Sequence, residues 1–138
     1  MGRISRAMAA WCVGWMVDMV AMALWSYDGL TSLLFQPIVA AIIASLGLGI
    51  VLLVGLVLRV RGIGRLWDAT PSIAAGLAGA SLAVMAFGSS VGLTGLFTDP
   101  DTGRSFSALH PAAALLSYVS LLFAVAHWPA RTVAGRPA

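Results

Sequence analysis

Four apolar runs of about twenty residues each, separated by short polar segments, leave this chain little choice of solvent. They cover roughly 7–27, 37–58, 71–97 and 110–128 of 138 residues. At ~1.5 Å per residue, a helix of that length matches the ~30 Å of hydrocarbon in a bilayer. The chain is 60% hydrophobic and 9% charged, with a mean hydropathy of +0.97. Soluble domains carry ~25% charged residues, and a fold this small cannot hide so much apolar surface from water. The expected fold is therefore an all-α integral membrane protein, an antiparallel bundle of four transmembrane helices forming a single domain over residues 1–138. Membrane β-strands would be ~10 residues long and alternating, and none of the four runs alternates.

The punctuation between runs supports that division. Tyr27, Asp28, Gly29 and Thr31 read as a turn. Pro37 suits the first position of the second helix, and Thr70 before Pro71 reads as an N-cap followed by a first-turn proline. Residues 97–103 form a turn, 104–109 a short polar connector, and Pro129 stops the last run. The start of the chain has the look of a signal peptide, with Ala21-Met22-Ala23 as a small-x-small site, but the run is too long and holds an acid, so cleavage is not expected.

Every base is Arg and every acid is Asp, a bias that suits a GC-rich bacterial genome. Arg3 and Arg6 precede the first run, Arg59, Arg61 and Arg65 follow the second, and Arg131 and Arg136 follow the fourth; only Arg104 lies elsewhere. Seven of eight arginines thus fall on one side of a four-span arrangement. The positive-inside rule then places both termini in the cytoplasm, with 1–6 and 130–138 as short tails of a multi-pass protein of the bacterial inner membrane. The same rule accounts for the pI near 10.0 without nucleic acid as a partner. The expected partners are membrane lipid, other membrane subunits or further copies of the chain.

The first run carries an ionisable residue, Asp18, near its middle. Met8, Trp11, Trp15, Asp18, Met22 and Trp25 recur at spacings of three and four and share one helical face. Ala7, Ala10, Gly14 and Ala21 lie on one flank, open to close approach by another helix. Val13, Val17, Val20 and Leu24 form the opposite side and are expected to meet lipid. In the fourth run His110, Ala113, Ala114, Ser117, Ser120, Leu121, Ala124 and Trp128 share one side, and Leu115, Leu116, Val119, Leu122 and Phe123 the other. Small residues on the second run (Ala40, Ala44, Gly47) and the third (Ser72, Gly76, Gly79, Ala80, Ser90) are expected to pack helix against helix.

A charged Asp at the bilayer centre costs about 2.5–3.5 kcal/mol on insertion scales. Asp18 therefore reads either as a proton, cation or partner-contact site, or as a neutral carboxyl satisfied by a hydroxyl or a backbone carbonyl. Ser117 and Ser120 are the expected hydroxyl partners by depth and face, with Tyr118 at the edge of that face and His110 at the outer interface. No cofactor is expected, with three alternatives left open. A quinone or lipid tail could seat on the stripe of the first run. Haem would need a second chain, because His110 and His127 are 17 residues, or about 25 Å, apart on one helix. Cys12, Met16 and Met19, with Met8, form a weak Cu(I) candidate, although Met also fills packing gaps. The segment 90–95 bears a faint likeness to a backbone-carbonyl ion filter, with different glycine spacing.

No Glu and no paired intramembrane carboxylates are present, and one intramembrane Asp, two terminal His and scattered Ser do not form a triad, so catalysis is not expected. The first functional expectation is an accessory or structural subunit of a larger membrane complex, motivated by the width of the aromatic-Met stripe. The alternative is a small proton- or ion-coupled transporter working as a homo-oligomer around Asp18. A third is a copper- or haem-related assembly or sensor protein.

Overall fold

The computed structural model describes residues 2–25, 30–60, 67, 70–98 and 103–129; the side chains of residues 3, 24–25, 30–33 and 59–60 lie outside that description. Among the described residues the protein is mostly helical, with four helices and one strand pair. In order these are α1 (Arg3–Trp25), α2 (Leu30–Val60), α3 (Pro71–Phe87), β1 (Thr94–Thr98), β2 (Ser105–Leu109) and α4 (Pro111–Ala126).

Three of the helices close on one another through small residues. Ala10 of α1, Ala40 and Ala44 of α2 and Ala124 of α4 are fully buried. Gly14 and Gly47 are buried beside them, and a Cβ at either would lie within 3.0 Å of Tyr118 and Leu122 atoms. With so little side chain between them the backbones approach closely, which extends van der Waals contact between the helices. The largest side chains wholly enclosed are Leu122 and Val51. The contacts also fix direction. Along α1, Arg6 meets Trp128, Gly14 meets Leu122 and Asp18 meets Tyr118, so α1 and α4 run antiparallel. Trp11 reaches Ser45 and Trp15 reaches Pro37, so α1 and α2 are antiparallel as well, while α2 and α4 run parallel.

α2 departs from its expected start. It begins at Leu30, so Thr31 lies inside a helix and Pro37 sits at its eighth position instead of its first. The proline removes one helical N–H. The interior position is accommodated beside α1, where Trp15 Nε1 donates to the Pro37 carbonyl at 3.1 Å. Tyr27, Asp28 and Gly29, the rest of the expected turn, lie outside the described residues, as do 61–66, 99–102 and 130–138.

The third run, 71–97, is corrected: its helix ends at Phe87 and its remainder is not helical. Residues 88–92 turn, with Gly92 at φ +88°, and β1 follows. The reason is local, since Gly and Ser are poor helix interiors and offer the backbone turn bonds instead. The connector 104–109 is likewise corrected, because Ser105–Leu109 pairs antiparallel with Thr94–Thr98. Phe97 and Phe106 face each other in that register and stack with centroids 5.8 Å apart. β1 buries alternate residues, a short alternation inside a run read as uniform.

Pro71 does occupy the first turn of α3, but Thr70 makes no side-chain cap; its carbonyl instead accepts from the Ile73 amide at 3.0 Å. α3 packs against α4 with Ala74, Ser81 and Met85, and the expected stripe of Ser72, Gly76, Gly79, Ala80 and Ser90 is exposed. Nothing lies within 4 Å of a Cβ built at Gly76 or Gly79. α4 is the hub, touching α1, α2 and α3. Its two expected faces do not hold, because Leu122 is fully buried while Val119 and Phe123 pack on the core. A helix surrounded on three sides has no single buried face.

One helix among the described residues, over Leu34–Leu58, is long and apolar enough to cross a membrane by length and composition. α3 and α4 are apolar but shorter, at 17 and 16 residues. Four helices are thus present where four spans were expected, and among the described residues α2 meets both the length and the apolar composition for crossing.

Candidate functional site

Asp18 lies on α1 where it passes the middle of α4, and Tyr118 Oη donates to its Oδ2 at 2.7 Å. With Asp18 ionised, a phenol-to-carboxylate bond of this length is charge-assisted and stronger than one between neutral groups. Gly14, one turn before Asp18, sets the approach. A Cβ there would lie 2.8 Å from Tyr118 Oη, so the glycine leaves room for the phenol to reach across.

The pair forms part of the wall of a cleft of about 520 Å³ between α1, α3, α4 and the second strand. Its remaining lining is apolar: Val17 and Ala21 from α1, Met85 from α3, Phe106, Ala108 and Leu109 from β2, and Ala114 from α4. Volumes of 300–1,000 Å³ suit small-molecule sites, which are typically apolar with a few polar groups that fix orientation. The hairpin makes the roof. It is held to α4 by the His110 amide, which donates to the Leu93 carbonyl at 2.9 Å. Asp18 has no cationic side chain paired with it among the described residues.

Several expected site residues sit elsewhere. Ser117 is buried and Ser120 half-buried on α4, but the hydroxyl that bonds Asp18 is Tyr118. The serines are short, whereas a tyrosine at the edge of the face spans the gap. Trp11 and Trp15 turn onto α2, donating to Ser45 Oγ at 3.1 Å and to the Pro37 carbonyl. Met8 is 64% exposed, so the stripe divides between the packed face and the outer surface; Met22 is half-buried, and the Trp25 side chain lies outside the described residues. Val17, expected to face lipid, packs on the core and lines the cleft.

His110 caps α4, its Nδ1 accepting from the Ala112 amide at 3.2 Å. His127 closes the other end of the same helix, with Nε2 3.3 Å from the Val51 carbonyl. The two imidazoles therefore do not converge on one haem within this chain. Cys12 and Met16 are exposed, Met19 is half-buried, and no group of three or more His, Cys, Asp or Glu gathers among the described residues. Segment 90–95 forms a turn and the start of β1, and its Leu93 carbonyl is taken up by the His110 amide.

The hairpin residues of the cleft were missed in the sequence. The usable signal was Phe97 and Phe106 flanking a Pro-Asp-Thr-Gly segment, with Thr and Ser in alternate positions. Met85 carried no such signal, since a methionine in an apolar helix reads as packing. Compared with models of protein families, with curated proteins and with solved structures, the chain matches none.

Proposed function

We propose that the chain is a four-span protein of the bacterial cytoplasmic membrane, with both termini in the cytoplasm, and that its working part is the Asp18–Tyr118 cleft. The ligand class we assign to it is a lipophilic cation, an amphiphile whose positive charge meets the carboxylate. Lipid-facing helices account for an exterior on which Leu46, Leu53 and Leu116 are each about two-thirds exposed, a surface that would drive association in water. The charge distribution supplies the orientation.

One observation carries the ligand class: a carboxylate with no cationic partner among the described residues, in the wall of a cleft that is otherwise apolar. A neutral guest would leave that charge uncompensated. A cation offsets it, and the Tyr118 and Phe106 rings at the cleft add cation–π attraction. A proton on Asp18 is the alternative occupant. Binding a cation to the protonated form releases that proton, which is the chemical basis for a proton-coupled carrier.

The accessory-subunit reading rests on the remainder of the stripe, where Met8 is 64% exposed, since Trp11 and Trp15 donate to α2. Equilibrium binding of tetraphenylphosphonium to the detergent-solubilised chain tests the proposal. The parent protein should bind it, Asp18→Asn should weaken binding by about tenfold, and neutral triphenylphosphine oxide should bind weakly to both, since a contact to a charged group is worth about 1.5 kcal/mol and ~1.4 kcal/mol is a factor of ten. Equal binding of the cation by parent and Asp18→Asn would sink the assignment.

A further inference from the structure

At the opposite end of the bundle from the hairpin a cation stands without an anion among the described residues. Arg6 lies one turn into α1, and its Nη1 donates to the Trp128 carbonyl at 2.5 Å. Its Nε is enclosed and makes no hydrogen bond among the described residues. The one acid among the described residues, Asp18, is twelve positions further along α1, about 18 Å away along the axis, and is bonded to Tyr118.

Beside Arg6 a cleft of about 140 Å³ opens between α1, α2 and α4, with Leu52, Gly55, Leu56, Ala126 and His127 in its lining. Gly55 makes it possible, since a Cβ there would overlap the His127 imidazole. The glycine lets that ring lie against α2 near the Val51 carbonyl, and Trp67 Nε1 fixes the turn by donating to the His127 carbonyl at 2.6 Å. Leu52 and Leu56 precede the last residue of α2 by eight and four positions, so the cleft lies about 6–12 Å below the helix end. In a membrane that is the level where headgroups meet acyl chains. Arg59, Arg61 and Arg65 follow in the sequence at the same end, and Arg131 follows α4.

We propose that this cleft binds the phosphate group of an anionic phospholipid. The Arg6 guanidinium supplies the charge, His127 the neighbouring polar group, and Leu52 and Leu56 the surface for the first methylenes of the chains. Guanidinium matches phosphate in charge and in donor geometry, and basic pockets between membrane helices at the cytoplasmic side suit such headgroups. The site rests on the membrane-spanning reading above but not on the ligand of the Asp18 cleft.

Native mass spectrometry of the full chain in mild detergent tests it, with dioleoylphosphatidylglycerol, dioleoylphosphatidylcholine and inorganic phosphate as separate probes. The parent should retain phosphatidylglycerol over phosphatidylcholine by about fivefold, the discrimination one basic residue gives at an anionic surface. Arg6→Gln should lose that preference, and Arg6→Lys should keep most of it. Gly55→Ala, which fills the cleft and leaves the charge, should lose it too, so the test survives a poorly folded Arg6→Gln. Equal retention of the two lipids by the parent, or an unchanged preference in both Arg6→Gln and Gly55→Ala, overturns the proposal. Binding of inorganic phosphate without lipid preference overturns the lipid as its source. Tetraphenylphosphonium binding is read separately in each variant, so failure of one site is distinguishable from failure of the other.

Discussion

Tyr118 reaches across from α4 to place its hydroxyl 2.7 Å from Asp18 Oδ2, joining two residues 100 positions apart in the sequence. The bond ties the helix that carries the charge to the hub of the fold, and the ring of Tyr118 is itself part of the core with Leu122 and Val51. Stability and the candidate site therefore share a side chain.

Tyr118→Phe keeps the ring and deletes the hydroxyl. Hydrogen bonds to charged groups are worth about 1.5–3 kcal/mol, with the lower end expected for a half-exposed pair. Unfolding of the detergent-solubilised chain should register a loss of that size. In the background of Asp18→Asn the same change should cost less, about 0.5–1.5 kcal/mol, because the acceptor is no longer charged. A cycle with no coupling between the two positions would mean that the bond contributes nothing in solution.

Glycines on opposite faces should respond with opposite signs. Gly47→Ala puts a Cβ 2.8 Å from Leu122 Cδ1 and 2.9 Å from Tyr118 Cε1, so both side chains must move. Overpacking of this kind costs about 1–3 kcal/mol. Gly76→Ala meets nothing within 4 Å, and helix propensity then favours it by about 0.5–1 kcal/mol. Thermal unfolding of the two variants under identical detergent conditions checks the contrast. A destabilised Gly76→Ala would show that the exposed face of α3 is covered in the folded protein.

Leu122→Ala and Leu116→Ala make the corresponding test on α4. Leu122 is fully buried against Gly14 and Gly47, and its truncation opens a cavity worth about 2–5 kcal/mol. Leu116 is 68% exposed and should change stability by roughly 0.5 kcal/mol or less. Similar losses in both variants would mean that α4 is enclosed by something besides α1, α2 and α3.

The sequence reading was strongest where periodicity and small residues agree. Ala10, Gly14, Ala40, Ala44 and Gly47 were legible as close-approach positions because a helix buried against helices must present small side chains. It failed at Val17 and Leu122, which look like any lipid-facing residue, since an apolar side chain carries no mark of which apolar neighbour it meets. It failed also after Phe87, where hydropathy continues through 91–97 but the backbone turns at Gly92 and pairs with Ser105–Leu109. Hydropathy records solvent preference and says nothing of hydrogen-bond pattern. Asp18 was found from its rarity. Its partner was not, because choosing between Ser117 and Tyr118 needs the distance between helices.

The sides on which the hairpin and the C-terminal tail lie test the four-span proposal. If only α2 crosses, everything after Val60 shares one side. If α3 and α4 cross as well, β2 lies outside and the tail lies inside, as the arginine distribution requires. Ser107 is exposed in β2 and Thr132 follows α4 in the sequence, so cysteines at these positions report the two sides. In a Cys12→Ala background, Ser107→Cys should react with a membrane-impermeant maleimide in intact cells, whereas Thr132→Cys should react only after permeabilisation. Labelling of both from the same side would show that α4 does not cross and would overturn the four-span proposal. The helix lengths make this a real test, because 17 residues of α3 reach about 25 Å, just short of the usual ~30 Å core. The crossing then depends on bilayer thinning or on the flanking Trp67 and Phe87 at the interfaces.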